Sequence, residues 1–473
     1  MDFFASFCLL LSILSLSTSF SCGEMQPKIG VCYGELGNNL PTPPKSIQLI
    51  QKLNAQRIKI YGTNPKILKS IQGTDLQISI MVPNDLIPDI STNQSLADQW
   101  VQTNVVPFYP KSKIRYLLVG NEILSNQPNT TWFKLVPAMR KIRSSVKKFG
   151  LNKVKVGTPL AMDCLESSYP PSDGTFRSNV REEVIKPMLQ FLNRTKSFFF
   201  VDVYTYFAWI SQPLEISLDY ALLEPTNITY TDPVSGLKYT NLLDQMLDAL
   251  VFAMKRLGYP NIRLFLAETG WPSGGDPDQI GANLYNAATY NRNVVKKFMA
   301  KPPIGTPARP GAVIPTMIFA LYNENKKPGP GTERNFGLLY PNGSHVYPID
   351  LSGKTEYPPL PKPSSNGKFW CVAAKGANTT ALAGALSYAC SQGNRTCDPI
   401  RPGGKCYNPN SLIKHASYAF SSYWAQMRTA GATCSFNGLA VITSKDPNRL
   451  GYDPVEGGGV ALKARLHLRV AAD

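Results

Sequence analysis

Between residues 28 and 323 one pattern recurs, a short β-rich apolar run followed by a segment of helical periodicity. Eight such runs can be counted, at 28–34, 56–62, 76–83, 115–122, 154–159, 198–207, 262–271 and 315–324. The connecting segments that suit helices best are 131–149, 181–193, 240–257 and 284–299. Continuous apolar strands alternating with helices imply an α/β fold with a parallel sheet covered on both faces, and a count of eight suggests closure into a (β/α)8 TIM barrel. The competing architecture is an open doubly wound sheet. No Gly-x-Gly-x-x-Gly follows the first run, so a dinucleotide fold has no support where it should be visible.

In a barrel the chemistry sits at the C-terminal ends of the strands. Two glutamates close runs there: Glu122 in Val119-Gly120-Asn121-Glu122, and Glu268 in Ala267-Glu268-Thr269-Gly270-Trp271. Carboxylates facing each other across a cleft can divide glycoside cleavage, one protonating the leaving oxygen while the other attacks or stabilises the anomeric carbon. Tyr33, Tyr61, Tyr204, Tyr206, Trp271 and Tyr322 accompany the strand ends, where ring faces can stack on the C–H faces of sugars. Taken singly, each aromatic is as well explained as core, and each glutamate as a cap or salt-bridge partner.

A chain of 473 residues exceeds the usual size of one hydrophobic core, so a large domain plus a smaller one is expected. The first twenty residues are apolar and end in small residues near Ser19, Ser21 and Gly23, which suits a cleaved leader over 1–23, although Asp2 stands where a positive charge is usual. Asn-x-Ser/Thr sequons at Asn93, Asn129, Asn193, Asn227, Asn342, Asn378 and Asn394 fit passage through a glycosylating compartment. Cys371, Cys390, Cys397, Cys406 and Cys434 crowd the last quarter, which reads as a disulfide-stapled small domain in a secreted, extracellular chain. Zinc is disfavoured, because no CxxC pair occurs and His415 and His467 lack zinc-finger spacing. The net charge of +17 is scattered, without an Arg-rich run or aromatic-basic repeat, so no nucleic-acid partner is expected.

Several longer motifs, in order, resemble the plant endo-1,3-β-glucosidases of glycoside hydrolase family 17 over about residues 26–350. They are Ile29-Gly30-Val31-Cys32-Tyr33-Gly34, Val82-Pro83-Asn84-Asp85, Val119-Gly120-Asn121-Glu122, Ser168-Tyr169-Pro170-Pro171-Ser172, Glu268-Thr269-Gly270-Trp271-Pro272-Ser273 and the stretch 321–339. The resemblance implies a retaining mechanism, with Glu122 as general acid/base, Glu268 as nucleophile, and no metal or cofactor. It also implies that Asn121 binds the sugar 2-hydroxyl and that Glu324, Lys327 and Glu333 line the cleft. Tyr33, Tyr61, Tyr204 and Trp271 complete the expected substrate-binding set. A retaining outcome calls for carboxyl groups about 5–5.5 Å apart. The implied substrate is β-1,3-glucan, such as callose or microbial wall glucan. Mixed β-1,3;1,4-glucan and a catalytically silent glucan-binding role remain as alternatives. The chain departs from the family at Asp202, where Asn is usual, and at Thr205, where Pro is usual.

A Pro- and Ser-rich stretch over 351–367 reads as a semi-rigid linker. Beyond it, Phe369-Trp370-Cys371-Val372-Ala373, Tyr388-Ala389-Cys390, Gly403-Gly404-Lys405-Cys406 and Tyr418-Ala419-Phe420 resemble the plant carbohydrate-binding module of family 43, placed at 368–455. That resemblance implies pairing of Cys371 with Cys434 and of Cys390 with Cys397. It leaves Cys406 without its usual partner. The tail at 456–473 is basic and lacks the apolar stretch of a lipid-anchor signal, so no lipid anchor is expected. A monomer is expected.

Overall fold

The computed structural model describes residues 26–443 and 447, apart from 214, 277–278, 359, 361–369, 393, 428–431 and 433. The expected leader, the later part of the linker and the basic tail lie outside the described residues. Among those described, no helix is long and apolar enough to cross a membrane.

The runs become β1 (Ile29–Tyr33), β2 (Arg57–Ile60), β3 (Gln77–Val82), β4 (Ile114–Val119), β5 (Lys155–Gly157), β6 (Pro159–Ala161), β7 (Phe198–Asp202), β8 (Arg263–Thr269) and β9 (Thr316–Ile318). They form one parallel sheet in the order β5-β4-β3-β2-β1-β9-β8-β7-β6. The two ends of that sheet are consecutive pieces of one run, so the ring is nearly closed: a (β/α)8 TIM barrel whose fifth stave is broken. The break falls at Thr158, because Pro159 has no N–H with which to continue the ladder. β5 therefore pairs with β4, and β6 with β7.

Between the strands run α1 (Pro43–Lys52), α2 (Pro65–Ser70), α3 (Gln94–Asn104), α4 (Leu135–Lys148), α5 (Lys186–Thr195), α6 (Leu242–Arg256) and α7 (Leu284–Phe298). Leu135, Ala138, Met139, Ile142 and Val146 recur at helical spacing and form the buried face of α4. Asn241 and Asn283 cap α6 and α7 by accepting from the backbone N–H of Asp244 and Asn286. Strand alternation divides the core in two. Ile58, Ile60, Ile78, Ile80, Leu117 and Val119 face the helices. Met81, Tyr116, Leu118, Phe198, Phe200 and Phe265 fill the barrel interior, as a barrel of this size requires.

Beyond the linker, β10 (Trp370–Ala373) pairs antiparallel with β11 (Ala440–Thr443). They pack with α8 (Thr379–Ser391) and α9 (Leu412–Met427) around Leu382, Ala416, Phe420 and Trp424. Disulfides join Cys371 to Cys434 and Cys390 to Cys397, and Cys406 is a free thiol, as the resemblance implied.

Candidate active site

The C-terminal ends of the barrel strands surround a cleft of about 1790 Å³. Glu268 reaches it from the end of β8, with only 5% of its surface exposed. Its neighbours come from other strands. Arg57 and Lys59 on β2, and Tyr61 just beyond it, alternate with Ile58 and Ile60, so period two aims the three polar side chains inward. Lys59 Nζ lies 2.7 Å from Glu268 Oε1, and the Tyr61 hydroxyl donates to the same oxygen at 2.5 Å. Tyr204, just beyond β7, donates to Oε2 at 2.6 Å.

These donors decide the charge state. Burial favours the neutral acid, but the Lys59 ammonium and the hydrogen bonds from Lys59, Tyr204 and Tyr61 outweigh it and hold the Glu268 pKa below its ordinary value. Burial and neighbouring negative charge push the Tyr61 and Tyr204 hydroxyls well up, so both remain donors. Burial alone would discharge Lys59. The Glu268 carboxylate, 2.7 Å away, opposes this and keeps Lys59 an ammonium. An ionised carboxylate carrying three donors is what an attacking or charge-stabilising group needs.

Glu122 stands after the end of β4, where the chain must turn sharply. Gly120 has φ 71° and Glu122 φ 48°, both left-handed. A side chain at Gly120 would collide with Ile87 and Ile123, so that position requires glycine on two counts. Asn84 holds the turn from below: its Oδ1 accepts from the Asn121 N–H at 2.7 Å, and its Nδ2 donates to the Asn121 carbonyl at 3.0 Å. The Glu122 N–H donates to the Pro159 carbonyl at 3.1 Å, which ties the turn to the broken stave. Asn121 Oδ1 lies 3.3 Å from Lys59 Nζ, linking the turn to the Glu268 cluster.

The other expected residues divide. Tyr33, Tyr61, Asn121, Glu122, Tyr204, Glu268, Glu324, Lys327 and Glu333 all line the cleft. Glu324 is 4% exposed and accepts from the Leu36 N–H at 2.6 Å; burial pushes its carboxyl up. Lys327 pairs with Glu333 at 3.0 Å. Trp271 does not line the cleft. It is fully buried, packs against Tyr206, Trp209 and Tyr290, and donates its indole N–H to the Gly281 carbonyl. Tyr206 and Tyr322 are core as well. Conversely, sequence reasoning did not assign Lys59 or Asn84 to the site. The available signal for Lys59 was a lysine in mid-strand, which cannot be buried without a partner.

Such a barrel, with a donor-ringed glutamate at one strand end and a second glutamate on a left-handed turn at another, suits a glycoside hydrolase. The family profile "Glycosyl hydrolases family 17" matches residues 29–351, and the chain belongs to that family. An "X8 domain" profile matches residues 369–441. "Probable glucan endo-1,3-beta-glucosidase A6" of Arabidopsis thaliana is 52% identical over 431 residues, covering 90% of this chain and 90% of that protein. The solved structure "CJP38, a beta-1,3-glucanase and allergen of Cryptomeria japonica pollen" aligns at 40% identity and TM-score 0.65, covering 69% of this chain and 99% of its own. A structure from a study of two plant beta-glucan endohydrolases with distinct substrate specificities aligns at 34% identity and TM-score 0.62, covering 68% of this chain and 99% of its own.

Proposed function

We propose that this enzyme hydrolyses internal (1→3)-β-D-glucosidic bonds with retention, Glu268 acting as nucleophile and Glu122 as general acid/base. The carrying observation is the cluster of three donors on the Glu268 carboxylate. In the first step Glu268 forms a bond to the anomeric carbon as the glycosidic C–O bond breaks, and Glu122 gives its proton to the departing oxygen. In the second step Glu122 takes a proton from water, and that water displaces Glu268. Asn121, which lines the cleft, is assigned to the sugar 2-hydroxyl. Tyr33, Tyr61, Tyr204, Glu324, Lys327 and Glu333 supply the remaining polar and stacking surface of the cleft.

The relatives' printed activities support β-1,3-glucan as the substrate. The X8 domain is read as a second glucan-binding unit on the same polymer. Two disulfides support an oxidising, extracellular destination.

The test is product release from linear β-1,3-glucan, with mixed-linkage glucan and cellulose alongside and the products sized by chromatography. Short β-1,3-oligosaccharides from the first polymer alone are expected. Release from mixed-linkage glucan in preference would replace the assigned linkage, and retention on insoluble polymer without products would remove the enzymatic reading.

A further inference from the structure

Asp202 is the last residue of β7 and the register partner of Glu268 on β8 and of Ala161 on β6. It lines the cleft, yet its side chain has no exposed surface. Neither carboxyl oxygen has a hydrogen-bond partner among the described residues. Its sole ion-pair contact among them is Lys59 Nζ at 3.7 Å, an ammonium already committed to Glu268 at 2.7 Å. Glu268 has three donors and Asp202 has none, so two buried carboxyls compete for one cation on unequal terms. A buried carboxylate without donors is too costly to persist, and the group takes a proton instead.

We propose that Asp202 is a positioning residue that works in its neutral form, leaving Lys59 to Glu268, and that its ionisation draws Lys59 away and switches the nucleophile off as pH rises. The proposal rests on Glu268 being the nucleophile. The charged and titratable groups facing Asp202 are Glu268 on β8, Lys59 on β2, Glu122 after β4, Cys32 on β1 and the neighbouring Tyr204. On β6 its register partner is Ala161, which does not titrate. Burial and then the Glu268 charge push Asp202 well above the ordinary carboxylate range; Glu122 adds to this and Lys59 opposes it. Lys59 is the one cation among these groups.

The experiment is the pH dependence of kcat/KM on a dinitrophenyl glycoside of a β-1,3-linked glucose disaccharide. A dinitrophenolate departs without a proton, so loss of the Glu122 proton does not shape the alkaline limb with this substrate. The wild-type enzyme should retain an alkaline limb, and Asp202→Asn, the isostere of the neutral acid, should move it up by about one pH unit or more. Superimposed profiles would overturn the proposal, as would a limb that moves down. Failure of Asp202→Asn to fold, read by circular dichroism, would overturn it too, because an isostere of the resting state must fit. Glu268→Gln is run in parallel. Wild-type turnover in that variant would sink the nucleophile assignment itself, whatever Asp202→Asn does.

Discussion

At the scale of single residues, the active site is a contest between burial and pairing, and Lys59 decides it. Removing the ammonium with Lys59→Met leaves Glu268 buried with only its tyrosine donors. Because Lys59 holds the Glu268 pKa down, its loss raises that pKa, and the acid limb of the kcat/KM profile should move to higher pH. Activity at the optimum should fall roughly 10²- to 10³-fold, as for loss of other preorganised charge contacts. An unchanged acid limb would mean that something else sets the charge of Glu268. Asp202 has the opposite sign. Its folded pKa is raised, so its contribution to stability is full below the unfolded value of about 3.9 and is lost as pH rises through the folded value. Asp202→Asn should therefore flatten the fall in Tm between acid and neutral pH, and an unaltered slope would show that Asp202 binds no extra proton on folding.

The elements explain how far such residues could be read in advance. The eight runs and their helices were legible because apolar periodicity is a property of short segments; 240–257 was expected as a helix, and α6 spans Leu242–Arg256. The broken fifth stave is hidden within one apolar run, 154–159, and Pro159 is its sequence signal. Trp271 was expected in the cleft because it closes a strand run. Yet period two puts Glu268 on the inner face and Thr269 on the outer, and Trp271 follows Thr269 outward to the same neighbour, Tyr290. Glu122 was legible as a strand-end carboxylate. The strained turn that aims it was not, because φ angles and the Asn84 bracket depend on tertiary contacts. Gly120→Ala tests that turn: a Cβ would meet Ile87 and Ile123 at positive φ. The turn should shift, lowering kcat by about 10- to 100-fold and stability by about 1–3 kcal/mol. Wild-type kcat in this variant would mean that the turn does not position Glu122.

For the whole molecule, the sequence reading of one large and one small unit follows from the cysteines as much as from length. A small helical unit with one short β pair has little core, so its two disulfides carry much of its stability. Cys371→Ser together with Cys434→Ser should destabilise it by about 2–5 kcal/mol and reduce retention on insoluble β-1,3-glucan, measured by sedimentation with the polymer. Retention equal to wild type would assign polymer binding to the barrel cleft alone. The nucleophilic role proposed for Glu268 is directly observable. A dinitrophenyl glycoside of a 2-fluoro β-1,3-linked glucose disaccharide should form its ester with the nucleophile and release it slowly, since the fluorine disfavours the oxocarbenium-like transition state of each step. Peptide mass spectrometry of the trapped enzyme should find the disaccharide attached at Glu268. An adduct on any other residue, or turnover with inversion and no adduct, would contradict the account.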